Sequence, residues 1–158
     1  GVCAELALLA LRRDQTLELI AAPEPTRMAG SPDLLHRLIS NLVDNALRYA
    51  RDGGNIVVEG RRTSTGVRLT VQDDGPGIPA DQLDRVFDRY YRLADQGPRG
   101  TGLGLAICRT IAEIHQGKIS LAQGPGGQGL VVTCDFQVGQ TEAISPDPGS
   151  KTALRTPQ

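Results

Sequence analysis

The chain has 158 residues, of which 39% are hydrophobic, and a net charge of −1. That length suffices for one ordinary globular domain with its own core, and leaves little room for a second. Acidic and basic residues are mixed along the chain, and nothing in this pattern indicates a nucleic-acid-binding surface or a polybasic membrane anchor. No apolar run approaches the roughly 18 residues that span a bilayer, so we expect no direct membrane contact.

The first elements alternate between helix-like and strand-like patterns. Residues 1–14 carry apolar positions at helical spacing, which predicts a short helix or a lead-in from an upstream element. Thr16–Ala21 alternates like a strand and is followed by prolines. Ser31 and Pro32 then predict a helix start, with serine as the cap and proline in the first turn. One stripe of this helix should face the core: Leu35, Leu38, Ile39, Leu42, Val43 and Ala46.

The second half of the chain repeats this mixture. Asn55–Arg61 and Gly66–Gln72 predict a hairpin, and Lys118–Ala122 and Leu130–Phe136 predict two further strands. The helix that follows the glycines near residue 100 should bury Leu105, Ile107, Cys108, Ile111 and Ile114. Residues 139–158 lack periodicity and predict a disordered tail, which leaves a domain over 15–138. This order favours a two-layer α/β sandwich, with helices packed on one face of a mixed β-sheet, over a doubly wound parallel sheet.

The three cysteines do not predict a metal site or a disulfide framework. Cys3, Cys108 and Cys134 are far apart and show no CxxC spacing. We expect reduced thiols, with Cys108 and Cys134 packed in the core as small hydrophobic residues.

Two amides on the first predicted helix are candidate metal ligands. Asn41 and Asn45 are four residues apart and therefore lie one above the other on one helix face. They could be ordinary hydrogen-bonded polar groups beside the apolar stripe. Their functional interpretation is Mg²⁺ binding, because this ion prefers oxygen ligands and takes only one or two from protein when it is bound to phosphates.

Two glycine-rich segments predict a bound nucleotide. Asp73 ends a strand and is followed by Gly75 and Gly77, so its carboxylate could accept a hydrogen bond from adenine N6. A plain turn is the alternative, and a calcium loop fails on the spacing of the acids. The second segment, Arg99–Gly104, opens a helix whose amide N–H groups could bind phosphate, although it matches neither a Walker A nor a dinucleotide loop. A purely structural glycine cap is the alternative there.

In their order, four segments resemble the sequence boxes of the histidine-kinase ATPase domain, in the wider family of gyrase, heat-shock-90 and MutL ATPases. NLVDNALRYA resembles the N box, DDGPGIP and GTGLGLAI the two glycine boxes, and VFDRYYR the phenylalanine box. The resemblance runs from about Leu34 to Phe136 and implies the Bergerat ATP-binding fold, with ATP and Mg²⁺ as cofactors.

The resemblance also implies roles for single residues. Asn45 would be the principal Mg²⁺ ligand and a catalytic residue, with Asn41 in support. Arg48 would reach phosphate, Tyr49 would pack near adenine, and Asp73 would bind adenine N6. The remaining nucleotide-binding residues would be Gly75, Gly77 and Ile78 in the pocket wall, Arg92 and Arg99 on phosphate, and Gly100, Thr101, Gly102, Leu103 and Gly104 in the phosphate-binding lid. Arg92 would also be catalytic, and Phe87 and Tyr90 would anchor the lid.

Two departures refine the expected function. The gyrase branch has a glutamate, the general base for water, where this chain has Asn41, and an amide cannot take that proton. The pattern therefore favours a kinase over an ATPase, and a nucleotide-sensing module without turnover is the further alternative. His36 and His115 lack the sequence context of a phosphate acceptor, so both are expected to cap or pack.

The acceptor histidine would then lie in an upstream dimerisation domain, of which residues 1–14 would be a helical remnant. A response regulator would be the final partner. The resemblance implies a monomeric fragment of a homodimeric protein, and a cytoplasmic domain of a parent in the inner membrane.

Overall fold

The computed structural model describes residues 14–22, 28–91 and 102–138. These residues form five strands and two helices, with short 3-10 turns at Ala80–Gln82, Arg85–Phe87 and Pro125–Gly127. In chain order the elements are β1 (Thr16–Ala21), α1 (Pro32–Tyr49), β2 (Asn55–Arg62), β3 (Gly66–Asp73), α2 (Gly104–Ile114), β4 (Gly117–Gln123) and β5 (Leu130–Gln137). The predictions for residues 1–13 and 139–158 lie outside the described residues.

The strands form one mixed sheet in the order β1-β2-β3-β5-β4. β1 pairs with β2 in parallel, and the other three pairs are antiparallel. Both helices pack against this sheet and against each other. The predicted two-layer α/β sandwich is confirmed, and the predicted strands agree with the observed ones to within one residue at each end.

The core lies between the helices and one face of the sheet. Alternate residues of the central strands point into it, and the register places Val58, Val71 and Val132 side by side. Fully buried side chains come from both layers: Leu38, Leu42, Val43, Ile56, Val71, Cys108 and Cys134. The predicted core stripe of α1 is therefore confirmed.

Both described cysteines are core residues, as predicted. Cys108 and Cys134 are free and wholly buried. Burial raises the pKa of each thiol to about 12, so neither forms appreciable thiolate at neutral pH.

Ile114 was predicted to face the core, and this was wrong: its side chain is 61% exposed. The inward stripe of α2 passes through Cys108, Ile111 and Ala112 and continues four residues after Ile111 at His115, which is 7% exposed. His115 thus takes the inward position at the end of the helix, and Ile114 lies beside the stripe.

His115 joins the end of α2 to the start of α1. Its Nε2 accepts the N–H of Ser31, the α1 cap residue, at 3.0 Å. Its Nδ1 lies 2.8 Å from the Ile111 carbonyl oxygen, so the proton is on Nδ1. The ring also meets Phe136 edge to face. The prediction that His115 packs is confirmed, whereas His36 is exposed and the same prediction was wrong for it.

We expect His115→Ala to lower the free energy of unfolding by about 2–4 kcal/mol, because it leaves a cavity and an unpaired Ser31 N–H. His36→Ala is the matched control, since this exposed side chain on α1 should change stability by less than about 0.5 kcal/mol. Urea unfolding of both variants measures the difference. Equal effects would contradict the role given to His115.

Among the described residues, neither helix is both long enough and apolar enough to cross a membrane.

Candidate functional site

A cleft of about 370 Å³ opens between α1, the ends of β3 and β5, and the start of α2. Its volume lies in the range of small-molecule binding sites. Most of the described residues that were predicted to bind a ligand line it: Asn41, Asn45, Arg48, Tyr49, Asp73, Gly77, Ile78, Gly102, Leu103 and Gly104. The fold thus brings together segments that are up to 63 residues apart, from Asn41 to Gly104.

The polar edge of α1 forms one side of the cleft. Asn41 and Asn45 lie beside the buried stripe and line the cleft one turn apart. Asn41 Nδ2 is buried and makes no hydrogen bond to the described residues, and the Asn41 amide lies near the Cys108 thiol, whose pKa it tends to lower against the larger effect of burial. Asn41 therefore lines the cleft with the rest of its side chain, while its Nδ2 is shielded from solvent.

The start of α2 faces Asn45. A Cβ on Gly104, the first residue of α2, would lie 3.4 Å from Asn45 Nδ2, so the helix end approaches this amide closely. No described side chain caps the first turn of α2. The N–H groups of this first turn and the positive end of the helix dipole are suited to an anion beside Asn45.

A buried carboxylate lies at the other end of the cleft. Asp73, the last residue of β3, is 6% exposed, and its Oδ1 accepts the N–H of Gly75 at 2.9 Å. Burial raises the pKa of Asp73, hydrogen bonds from the Gly75 and Leu130 backbone lower it in part, and the charge of Asp74 raises it further. The site therefore holds one acceptor carboxylate at a well-defined position in an apolar wall.

Gly75 fixes that carboxylate against α1. It lines no part of the cleft itself and is buried behind it, where a Cβ would overlap the carbonyl oxygen of Tyr49. The turn after β3 therefore packs backbone to backbone on the last turn of α1, and only glycine fits there. Asp73 and Tyr49 are consequently held at the same end of the cleft.

Arg48 lies at the cleft rim and forms an ion pair with Asp44, with 2.7 Å between Nη2 and Oδ2. This is the i,i+4 pair that helical spacing allows. Contact of Arg48 with phosphate remains a prediction.

The residues that follow the second 3-10 turn are arranged differently from the prediction. Tyr90 was expected to anchor the lid, but it is 74% exposed with φ at +66°. Tyr91 makes the inward contacts instead: its hydroxyl lies 3.0 Å from Gln82 Oε1, and the Arg85 guanidinium covers its ring at 4.7 Å. Arg92, Arg99, Gly100 and Thr101 lie outside the described residues, so their predicted roles remain untested.

Some cleft residues were not identified in the sequence. Val71, Leu130 and Val132 form the apolar floor, and strand alternation alone marks them as core rather than as site. Arg37 lines the mouth of the cleft one turn before Asn41. Its four-residue spacing from Asn41 is the pattern that could have identified it.

The arrangement fits an adenine nucleotide. It has an apolar slot with a carboxylate at one end, and farther along two amides and a helix N-terminus that no described side chain caps. The profile of the family described as "Histidine kinase-, DNA gyrase B-, and HSP90-like ATPase" matches residues 30–140. The chain belongs to this family.

Two similar proteins of this family are named as sensor kinases. The chain is 40% identical over 117 residues to the signal transduction histidine-protein kinase BaeS of Escherichia coli K12, covering 72% of this chain and 25% of that protein. It is 36% identical over 146 residues to the sensor protein kinase PmrB of Pseudomonas aeruginosa, covering 92% of this chain and 30% of that protein. The chain thus spans about a quarter to a third of the length of these relatives.

Solved structures show the same fold. The mycobacterial sensor histidine kinase MprB superposes with a TM-score of 0.78 at 28% identity, over 87% of this chain and 93% of that one. Full-length ShkA, solved in complex with AMPPNP, superposes with a TM-score of 0.73 at 22% identity, over 87% of this chain and 29% of that one. These superpositions show the fold; the family match over residues 30–140 and the sensor-kinase relatives make the chain an ATP-binding domain of the sensor-histidine-kinase type.

Proposed function

We propose that this domain binds Mg²⁺·ATP in the cleft and delivers the γ-phosphoryl group to a histidine in another part of the full-length protein. A response regulator would then receive the group. The proposal is supported by the relatives, which are named as sensor kinases. The observation that carries it is that neither acid lining the described part of the cleft is placed to act as a general base for water.

The cleft lacks a general base for water within its described residues. Only Asp44 and Asp73 are acidic among the described residues that line it. Asp44 is paired with Arg48, and Asp73 is buried at the base-binding end. Asn41 has an amide, which cannot accept a proton at neutral pH. Attack by water is thus unsupported, whereas attack by an outside imidazole needs only positioning and neutralisation of phosphate charge.

Different residues would bind different parts of the ligand. Asp73 would accept a hydrogen bond from the adenine amino group, and Asn45 with Asn41 would ligate Mg²⁺ through their amide oxygens. Mg²⁺ would supply charge neutralisation on the phosphates. Arg48, Arg92, Arg99 and the N–H groups of residues 100–104 would contact the phosphates. In the transfer, a nitrogen–phosphorus bond forms as the bond between the γ-phosphorus and the bridging oxygen breaks, and ADP leaves.

The acceptor is proposed to lie elsewhere than on the described residues. Both ring nitrogens of the buried His115 are engaged, one by the Ser31 N–H and one by the Ile111 carbonyl. His36 is exposed on α1 but lacks an adjacent acid and a following proline. We also propose that the full-length protein is a homodimer, that the isolated domain is monomeric, and that the domain lies on the cytoplasmic side of an inner-membrane parent.

The decisive experiment mixes this 158-residue chain with the separately expressed acceptor-helix domain of its full-length protein and labelled ATP. We expect label on a histidine, stable to alkali and labile to acid. ATP binding without transfer would indicate a nucleotide-sensing module. Steady phosphate release in the absence of the acceptor would indicate an ATPase of the gyrase type.

Asn45→Ala should remove this transfer and weaken ATP binding in the presence of Mg²⁺ by about 10-fold or more, because a metal ligand is lost. Asn55→Ala, an exposed amide at the start of β2, is the control and should bind ATP normally. Calorimetry with Mg²⁺ and then with EDTA separates the causes. If Asn45 acts through the metal, the variant and the wild type should bind ATP about equally in EDTA.

A further inference from the structure

Arg37 has no assigned role, yet it lies at the mouth of the cleft. It is exposed, and with Asn41 and Asn45 it forms a row at four-residue spacing along α1, all three lining the cleft. From this geometry we infer that Arg37 contacts the terminal phosphate of the nucleotide and so distinguishes a triphosphate from a diphosphate. The inference rests on the proposed function.

The helix gives the position of Arg37 relative to the base. The base end of the cleft is fixed by Asp73, whose turn packs on the Tyr49 carbonyl through Gly75. At 1.5 Å per residue, Asn45 lies about 6 Å, Asn41 about 12 Å and Arg37 about 18 Å from Tyr49 along the axis of α1. A nucleotide with its base beside Tyr49 extends its phosphates toward the start of α1, and each added phosphate moves negative charge toward Arg37.

The charges of the cleft leave Arg37 available for this contact. The basic residues that line the described part of the cleft are Arg37 and Arg48, and Arg48 is 2.7 Å from Asp44. Arg37 forms no ion pair with any residue in 14–22, 28–91 or 102–138, and Asp33, one turn earlier, is not bonded to it. A guanidinium stays charged at any physiological pH and its N–H groups match phosphate oxygens in pairs.

The cleft has no acid near Arg37 that would repel the terminal phosphate. Of the two acids in the described lining, Asp44 is seven residues along the helix and paired, and Asp73 is at the opposite end. Asn41 and Asn45 lie between Arg37 and the base-binding end of the cleft, and their amides are uncharged. Arg37 therefore supplies positive charge at the place where a triphosphate carries one phosphate more than a diphosphate.

The test compares Mg²⁺·ATP with Mg²⁺·ADP by calorimetry, using the whole 158-residue chain. Arg37→Ala should weaken ATP binding by about 10-fold, the value of one charge-assisted hydrogen bond, and change ADP binding by less than about 2-fold. Arg37→Lys should recover part of the loss, since it restores the charge without the paired geometry. The control is Arg62→Ala, an exposed arginine at the end of β2 outside the cleft lining, which should change neither affinity.

Three results would overturn the inference. Unchanged ATP affinity in Arg37→Ala would show that Arg37 does not contact the nucleotide. Equal losses for ATP and ADP would place its contact elsewhere than the terminal phosphate. Failure of the wild-type chain to bind either nucleotide would overturn the proposed function together with the role of Arg37. The first two results would leave the proposed function intact.

Discussion

Asp73→Asn is expected to weaken ATP binding by about 100-fold or more while the domain stays folded. The carboxylate has acceptor oxygens only, whereas the amide presents an N–H₂ group that opposes the adenine amino group. Loss of a hydrogen bond to a charged, buried group costs up to about 3 kcal/mol, which corresponds to about 150-fold in affinity. Calorimetric titration with ATP measures the loss.

The unfolding midpoint of this variant should not fall. The pKa of Asp73 is raised mainly by burial, so its ionised form is stabilised less in the folded protein than in the unfolded chain. A neutral amide removes that cost and keeps an oxygen that can accept the Gly75 N–H, which offsets the loss of the charged acceptor for the Leu130 N–H. Lost binding in a stable protein therefore reports on recognition of the base.

Asp74→Asn is the matched control at the neighbouring position. Asp74 Oδ2 accepts the Asn55 N–H at 3.0 Å, a bond that an asparagine oxygen can keep, and Oδ1 is buried without a described partner. ATP affinity at neutral pH should be close to that of the wild type. Similar losses in both variants would indicate a structural effect of the whole turn.

The pH dependence of ATP binding should follow the protonation of the Asp73 carboxylate. Because the pKa of Asp73 is raised, its carboxylate takes up a proton at a higher pH than an ordinary aspartate, and ATP binding should be lost as the pH falls through that raised value. Asp74→Asn removes a charge that raises the pKa of Asp73. This variant should therefore lose ATP binding at a lower pH than the wild type does.

The sequence predicted those parts of the fold that depend on short-range periodicity. The apolar stripe of α1 and the alternation in β2 and β3 each involve residues within a few turns or steps of one another. The pair Asn41 and Asn45 could be placed on one helix face for the same reason. That the amides share a cleft with Asp73 followed from the resemblance of the four segments taken in order.

Features set by packing between elements could not be predicted in this way. The stripe of α2 included Ile114 because isoleucine is apolar, yet His115 occupies the inward position through its bond to Ser31, 84 residues away. Tyr90 and Tyr91 are equally aromatic neighbours, and the turn geometry decides which one is covered. A role for Arg37 can be inferred only after the base-binding end of the cleft has been located.

Gly129 is the clearest example of such a long-range requirement. It lies just before β5 with φ at +77°, and a Cβ there would overlap the carbonyl oxygen of Asp73 and press on the backbone of Asp74. Its N–H also donates to the Gly75 carbonyl at 2.8 Å. The end of β3, which carries the proposed adenine-binding carboxylate, is thus held in place by a glycine 56 residues later in the chain.

We expect Gly129→Ala to lower the free energy of unfolding by about 2–5 kcal/mol. About 1–2 kcal/mol comes from the left-handed backbone and the rest from overlap with Asp73. Gly126→Ala is the matched control, because this glycine has φ at +69° and no atom within 4 Å of the added Cβ. It should lose only the backbone contribution, and urea unfolding measures both variants.

The overlap must be relieved by movement of β5 or of the end of β3, and either movement displaces the Asp73 carboxylate from the position set by Gly75. Below the unfolding transition, Gly129→Ala should therefore also bind ATP at least about 10-fold more weakly, a cost of about 1.4 kcal/mol. Gly126→Ala should bind ATP as the wild type does. Gly129→Ala could instead be destabilised and still bind ATP normally. In that case the position of Asp73 would not depend on this contact, and the backbone at the end of β3 would not be what positions the carboxylate.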